Sequence, residues 1–178
     1  MRILGIDPGS AVTGFGVVDV QAGELVHVAH GTFRPPRQSS MADRLYYLHD
    51  AIASVVRDHA PDAAVIEQVF VSASPRSALI LGQARGVALA AVGAGGAALV
   101  EYSASSIKSA VTGSGRAGKR QVQNMVRRLL KLDRLPPSDA ADALAAAICH
   151  AHQGRLGKLA APRRRPRRPP TLRVRRAL

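Results

Sequence analysis

The 178-residue chain has one cysteine, no tryptophan, three phenylalanines and three tyrosines. A lone Cys149 excludes an internal disulfide and suits a reducing compartment. No Walker phosphate loop, nucleophile elbow or Cys/His zinc spacing is present, which removes the P-loop, α/β-hydrolase and zinc-finger classes. No internal repeat is visible. The uncharged stretch at residues 86–100 is shorter than the roughly 20 apolar residues of a membrane span and is broken by glycines. The apolar start is interrupted at Asp7, so no signal peptide is expected and the expected location is cytoplasmic.

Acidic residues are absent from residues 154–178, which hold 10 of the 25 basic ones. The formal charge of +13 is therefore unevenly placed: residues 1–153 carry fifteen basic and twelve acidic side chains, a net of +3. The arginine- and proline-rich tail cannot build a core and is expected to be disordered, and its charge supports only a general attraction for polyanions. The expected organisation is one α/β domain over 1–153 followed by this basic tail over 154–178.

What the chain does have starts at Leu4-Gly-Ile-Asp7-Pro-Gly-Ser10, followed by Thr13-Gly-Phe-Gly-Val17. Two apolar runs around a Pro-Gly read as buried strands joined by a turn, with Asp7 at the carboxyl end of the first. Open α/β sheets place their ligands at such ends. A third strand spans residues 24–33. An amphipathic helix spans 40–60, with Met41, Leu45, Leu48, Ile52, Val55 and Val56 at helical spacing. Residues 62–67 form a short strand ending on Glu67. A right-handed crossover would lay it beside the first strand, so that Asp7 and Glu67 end at one sheet edge.

Residues 74–93 read as a helix capped by Ser74, with Gly82 and Gly86 one turn apart. That small-residue notch suits either packing on the sheet or a contact between subunits. A strand over 97–101 and a short helix or loop over 103–112 follow. The Gly-rich residues 113–118 read as a mobile loop. A helix then carries Val122, Met125, Val126, Leu129 and Leu130 on one face. Residues 108–134 hold eight basic side chains against Asp133 alone, which favours an anionic partner over a merely solvated face.

A final helix is expected from Asp139 to about residue 153, capped by Ser138. Asp139 and Asp142 point off one face of an otherwise apolar helix. Asp139 also suits the helix dipole, whereas Asp142 has no such local reason to be there. His150 shares that face but lies roughly 16 Å further along, too far for a common ion. Four carboxylates brought together would repel one another, and divalent cations relieve this. Hard oxygen donors suit Mg²⁺ or Mn²⁺, and a pair of such ions suits phosphodiester hydrolysis. Phe70, three residues beyond Glu67, is either a core plug or an aromatic that stacks on bases.

These motifs, with Ile66-Glu-Gln-Val-Phe70, Ser77-Ala-Leu79, Leu81-Gly-Gln-Ala-Arg-Gly86 and Asp139-Ala-Ala-Asp-Ala-Leu144, resemble the RuvC family of Holliday junction resolvases over residues 1–153. The resemblance implies a ribonuclease-H-like fold with a five-stranded mixed sheet flanked by helices. It implies a Mg²⁺-dependent endonuclease, with Mn²⁺ able to substitute and two ions per site. It would act as a homodimer on four-way junction DNA, alongside RuvA and RuvB, by paired symmetric nicks leaving 5′-phosphate and 3′-hydroxyl ends. By motif, Asp7, Glu67, Asp139 and Asp142 would be the catalytic metal ligands, although some members carry His at the Asp139 position. Lys108 and Lys119 would sit near the scissile phosphate and Phe70 at the opened bases. Arg116 and Arg120 belong to the basic segment expected to contact DNA. The helix with Leu81, Gly82, Arg85 and Gly86 would form the dimer contact. An actin-like ATPase is disfavoured, because no second Asp-x-Gly loop or second domain is present. A non-catalytic junction-binding module and another ribonuclease-H-like nuclease are the remaining alternatives.

Overall fold

A computed structural model describes residues 1–68 and 74–158, with side chains through residue 154. Phe70 and residues 159–178 lie outside the described residues, and with them the expectations placed on that aromatic and on the tail.

The first three strands are β1 (Arg2–Asp7), β2 (Thr13–Gln21) and β3 (Glu24–Phe33), an antiparallel meander. Helix α1 (Met41–His59) begins where Ser40 Oγ accepts from the Asp43 N–H at 3.2 Å. It ends at Ala60, which turns left-handed so that its N–H donates to Val56 O. The chain returns as β4 (Ala63–Glu67), parallel to β1, with Ile6 opposite Ile66. The crossover thus leaves Asp7 and Glu67 adjacent at one edge, as the strand–helix–strand order predicts. Helix α2 (Pro75–Ala94), capped by Ser74, leads to β5 (Ala98–Tyr102), parallel to β4. The order across the five-stranded sheet is β3-β2-β1-β4-β5.

Two cores flank the sheet. On one face Leu4, Ile6, Val17, Ala64 and Ile66 meet Ile52 and Val56 of α1 and Ala88, Ala91 and Val92 of α2. On the other, Ile3, Val18 and Val65 meet α3 (Ala104–Thr112), α4 (Lys119–Leu129) and α5 (Ser138–Lys158). Period-2 alternation along β1 and β4 assigns each side chain to one core or the other.

Three local expectations are corrected. Ser138 is the first residue of α5 rather than its cap: the Ala141 N–H donates to Pro137 O (2.8 Å), and proline, lacking an N–H, loses nothing there. Helix α5 also runs on to Lys158, past the expected end near residue 153. The glycine-rich segment 113–118 is tied down rather than loose. Gly113 ends α3 in the left-handed region, the Gly118 N–H donates to Gln121 Oε1 (2.8 Å), and Ala117 is buried in the α3–α4–α5 core.

Candidate active site

Helix α5 crosses the sheet over β1 and β2, and the close approach is set by glycine. A Cβ at Gly5 would overlap the Ala143 carbonyl, one at Gly14 the Asp139 carbonyl, and one at Gly16 the Leu144 side chain. The partner surface is equally small, because Ala140, Ala141, Ala143, Ala146 and Ala147 are all buried. Backbone-to-backbone packing of this kind brings the first turns of α5 down onto the end of β1. Gly14 sits opposite Asp7 in the β1–β2 register, so the helix start arrives beside that carboxylate. The sequence reading treated these glycines as turn and strand residues. Their service as a seat for α5 was legible only in the pairing of three small strand positions with an alanine-rich helix.

The result is a cavity of about 220 Å³ lined by Asp7, Glu67 and Asp142, with Lys108 from α3 and Lys119 from α4 on its wall. Ala104, Ile107, Val122 and Ala145 form its apolar floor and sides. Asp139 is not part of that lining. It acts at longer range, its charge raising the pKa of both Asp7 and Asp142. Burial, followed by the charges of Asp142, Glu67 and Asp139, pushes the Asp7 carboxyl up to about 7. Burial also raises Glu67, with Asp142 adding to it while Lys108 and Lys119 oppose it. Asp142 is likewise raised by burial, against the pull of Lys119, whose Nζ stands 3.7 Å from its Oδ2. Dehydrated carboxylates that repel one another are the electrostatic signature of a site built for added positive charge.

The loop after β1 is held by its own bonds. Thr13, fully buried, donates its hydroxyl to Gly9 O (2.8 Å) and accepts the Gly9 N–H (3.2 Å). Arg44 of α1 reaches in to donate from Nη2 to Ser10 O (2.5 Å). Arg44 is a positioning residue that the sequence reading passed over, since an arginine on an amphipathic helix looks like any other surface charge.

The donor set fits a hard divalent cation: it contains carboxylate oxygens alone, with no thiol or imidazole. Among the described residues, no three His, Cys, Asp or Glu side chains stand close enough to enclose an ion unaided. The fit therefore lies in donor chemistry and electrostatics. His150 is engaged elsewhere, its Nδ1 bonded to Tyr102 Oη (2.9 Å), and His152 Nδ1 lies 3.0 Å from Ala110 O, so both are held in structural contacts.

Of the other predicted residues, Arg116 is exposed and lines a neighbouring open cavity of about 550 Å³ with Gln121, Asn124 and Arg128. Arg120 is exposed at the start of α4 and lines neither cavity. On α2, Leu81 is half-buried, and Gly82 and Gly86 face open space, so they do not pack on the sheet. Arg85 is ion-paired with Glu101 of β5.

Comparison with known proteins agrees with this geometry. A sequence model of the RuvC family, described as crossover junction endodeoxyribonuclease RuvC, matches residues 3–150. The chain is 56% identical over 154 residues to the crossover junction endodeoxyribonuclease RuvC of Burkholderia vietnamiensis, covering 86% of this chain and 85% of that one. The solved structure of Thermus thermophilus RuvC matches with a TM-score of 0.80 at 33% identity, covering 88% of this chain and 97% of that one. T. thermophilus RuvC in complex with a Holliday junction substrate matches with a TM-score of 0.82 at 33% identity, over 88% and 96% of the two chains. With its ribonuclease-H-like fold and its acidic cavity at the β1–β4 edge, the chain belongs to the RuvC family of crossover junction endodeoxyribonucleases.

Proposed function

We propose that this protein resolves four-way DNA junctions in recombination and repair, hydrolysing one phosphodiester at the mouth of the acidic cavity in each of two opposed strands. The observation that carries the reading is the convergence of Asp7, Glu67 and Asp142 with Lys108 and Lys119 on one cavity. Asp7, Glu67 and Asp142 would hold two Mg²⁺ ions, or Mn²⁺ in their place, with Asp139 adding charge beside them. When bound, such ions supply an activated water and stabilise the departing 3′ oxygen.

The chain's own residues do the rest. Lys108 and Lys119 attract the scissile phosphate and offset charge that builds on it in the transition state. Arg116 and Arg120, exposed on the basic segment, bind flanking phosphates without reading sequence. The apolar wall of Ile107, Val122 and Ala145 lowers the local dielectric, which strengthens each of these interactions.

A homodimer supplies two such sites with the two-fold relation that paired nicks require. Helix α2 supports it: it has the length and apolar composition of a membrane span, yet little of it is buried. Its exposed Leu79, Gly82 and Gly86 form an apolar, small-residue surface suited to a second copy. RuvA and RuvB as working partners, and a cytoplasmic location, are proposed on the family resemblance alone.

The test is a mobile four-way junction incubated with Mg²⁺ and either wild type or Asp7→Asn, with a linear duplex and an RNA–DNA hybrid as controls. Paired nicks in the junction alone, with the variant binding but not cutting, are expected. A wild type that binds the junction and cuts with neither Mg²⁺ nor Mn²⁺ would leave a non-catalytic junction-binding module as the reading.

A further inference from the structure

A second constellation of chemistry-bearing groups lies on edge strand β3. His27 and His30 are three residues apart, which on a regular strand would send them to opposite faces. The β2–β3 register slips between Val17 and Val18: Val17 pairs with Ala29 and Val18 with His27, leaving Val28 as the extra residue. That bulge reverses the alternation and turns both rings to one face. There His27 Nε2 and His30 Nδ1 stand 2.8 Å apart, their rings tilted by 59°. Both line an open cavity of about 510 Å³ together with residues 130–135, the connection between α4 and α5.

We propose that His27 and His30 chelate one divalent transition-metal ion of the Zn²⁺, Ni²⁺ or Cu²⁺ class, in a site separate from the acidic cavity. Bonds of about 2.0–2.1 Å place two imidazole nitrogens roughly 2.9 Å apart on a tetragonal ion such as Cu²⁺ and roughly 3.3 Å apart on tetrahedral Zn²⁺. The hydrogen-bonded 2.8 Å is close to the first, and the rings part by roughly half an ångström to reach the second. Burial lowers the pKa of both rings, and His30 lowers that of His27 further, so the pair is neutral and offers lone pairs near pH 7. The proton the rings now share moves through solvent to the outer nitrogen of its own ring, and both facing nitrogens then bind. Water completes the coordination, since no third His, Cys, Asp or Glu among the described residues stands within reach.

The opposing charges are Lys131 and Arg134, also on the lining. Both are exposed, as is Asp133, so water and salt screen them and they weaken the site without displacing its donors. Imidazole favours these ions over Mg²⁺, which the carboxylate cavity suits instead. The two sites are two strands apart, roughly 10 Å across the sheet, and are also offset along it, because Asp7 is level with Thr32 and not with His27 or His30. The proposal does not depend on the nuclease reading.

Calorimetric titration of the full chain with Zn²⁺, in excess Mg²⁺, tests it on wild type, His27→Gln, His30→Gln and Asp7→Asn. The expected result is one Zn²⁺ bound equally by wild type and Asp7→Asn, and at least about tenfold more weakly by each histidine variant. Histidine ring resonances of the wild type give a readout free of folding effects: His27 and His30 shift on Zn²⁺ addition, and His150 and His152 do not. Affinity unchanged in both histidine variants, loss of binding in Asp7→Asn, or no binding below about 100 µM would each overturn the proposal.

Discussion

Lys119, at the first residue of α4, places its ammonium 3.7 Å from the Asp142 carboxylate of α5. One end of the pair is exposed to solvent and the other is set into the acidic cavity. The ammonium lowers the pKa of Asp7, Glu67 and Asp142, and in the proposed function it also meets the DNA phosphate that approaches them. An exposed pair of this kind adds little to stability, so its weight falls on function.

Replacing Lys119 by methionine keeps the aliphatic stem and removes the charge. Junction cleavage should slow by on the order of 10²-fold, as for loss of one preorganised transition-state donor. Junction affinity should change only a few-fold, since one phosphate contact among many is lost. Single-turnover cleavage beside a binding titration separates the two, and parallel losses in both would make Lys119 a simple DNA contact.

Asp7 makes the metal-free protein pH-sensitive in a direction that can be worked out. Its folded pKa of about 7 lies above the ordinary 3.8, so the folded state holds a proton that the unfolded state has released. That contribution to stability is fully present below about pH 4 and is lost as pH rises through 7. In EDTA, Asp7→Asn should therefore exceed wild type by on the order of a few kcal/mol at pH 8, with the difference vanishing near pH 4. Denaturant melts across this range check it; a difference independent of pH would assign the effect to packing. Cleavage by wild type should fall with falling pH as protons compete with cations for the carboxylate, at a midpoint that rising Mg²⁺ moves to lower pH.

Gly5→Ala tests the seat of α5 on the sheet. The added methyl meets the Ala143 backbone carbonyl, which has no rotamer to yield. A loss of roughly 1–3 kcal/mol or more is expected from overpacking, with slower cleavage as Asp142 lifts away from Asp7. Gly82→Ala, where a Cβ meets open space, is the within-chain control for stability in a monomeric preparation.

Ala60 ends α1 at φ 43°, ψ 59°, a left-handed conformation that costs an L-residue roughly 1–2 kcal/mol. Ala60→Gly relieves that strain against a greater loss of unfolded-state entropy. A net gain of about 0.5–1 kcal/mol is expected with cleavage unchanged, read from thermal melts.

Much of the site could be read before any fold was known. Asp7 and Glu67 each close a short apolar run, and runs of that kind are strands whether or not their partners are known. Asp142 stands out on α5 because a carboxylate has no local reason to sit in an alanine-rich helix. Local chemistry of this sort is written in neighbouring residues, so one sequence carries it.

The tertiary structure decided where separate elements meet. Glycines at 5, 14 and 16 let α5 lie on β1 and β2, which is why Asp142 lines the cavity with Asp7 while Asp139, one turn earlier, stays at its margin. The β-bulge at Val28 turned His27 and His30 to one face, against the regular period of a strand. Residues 113–118, loose by composition, are held by caps and by the burial of Ala117 among three helices. The physical reason is the same in each case. Period and composition determine which face of an element is apolar, but register and the depth of approach are set by contacts between residues far apart in the chain.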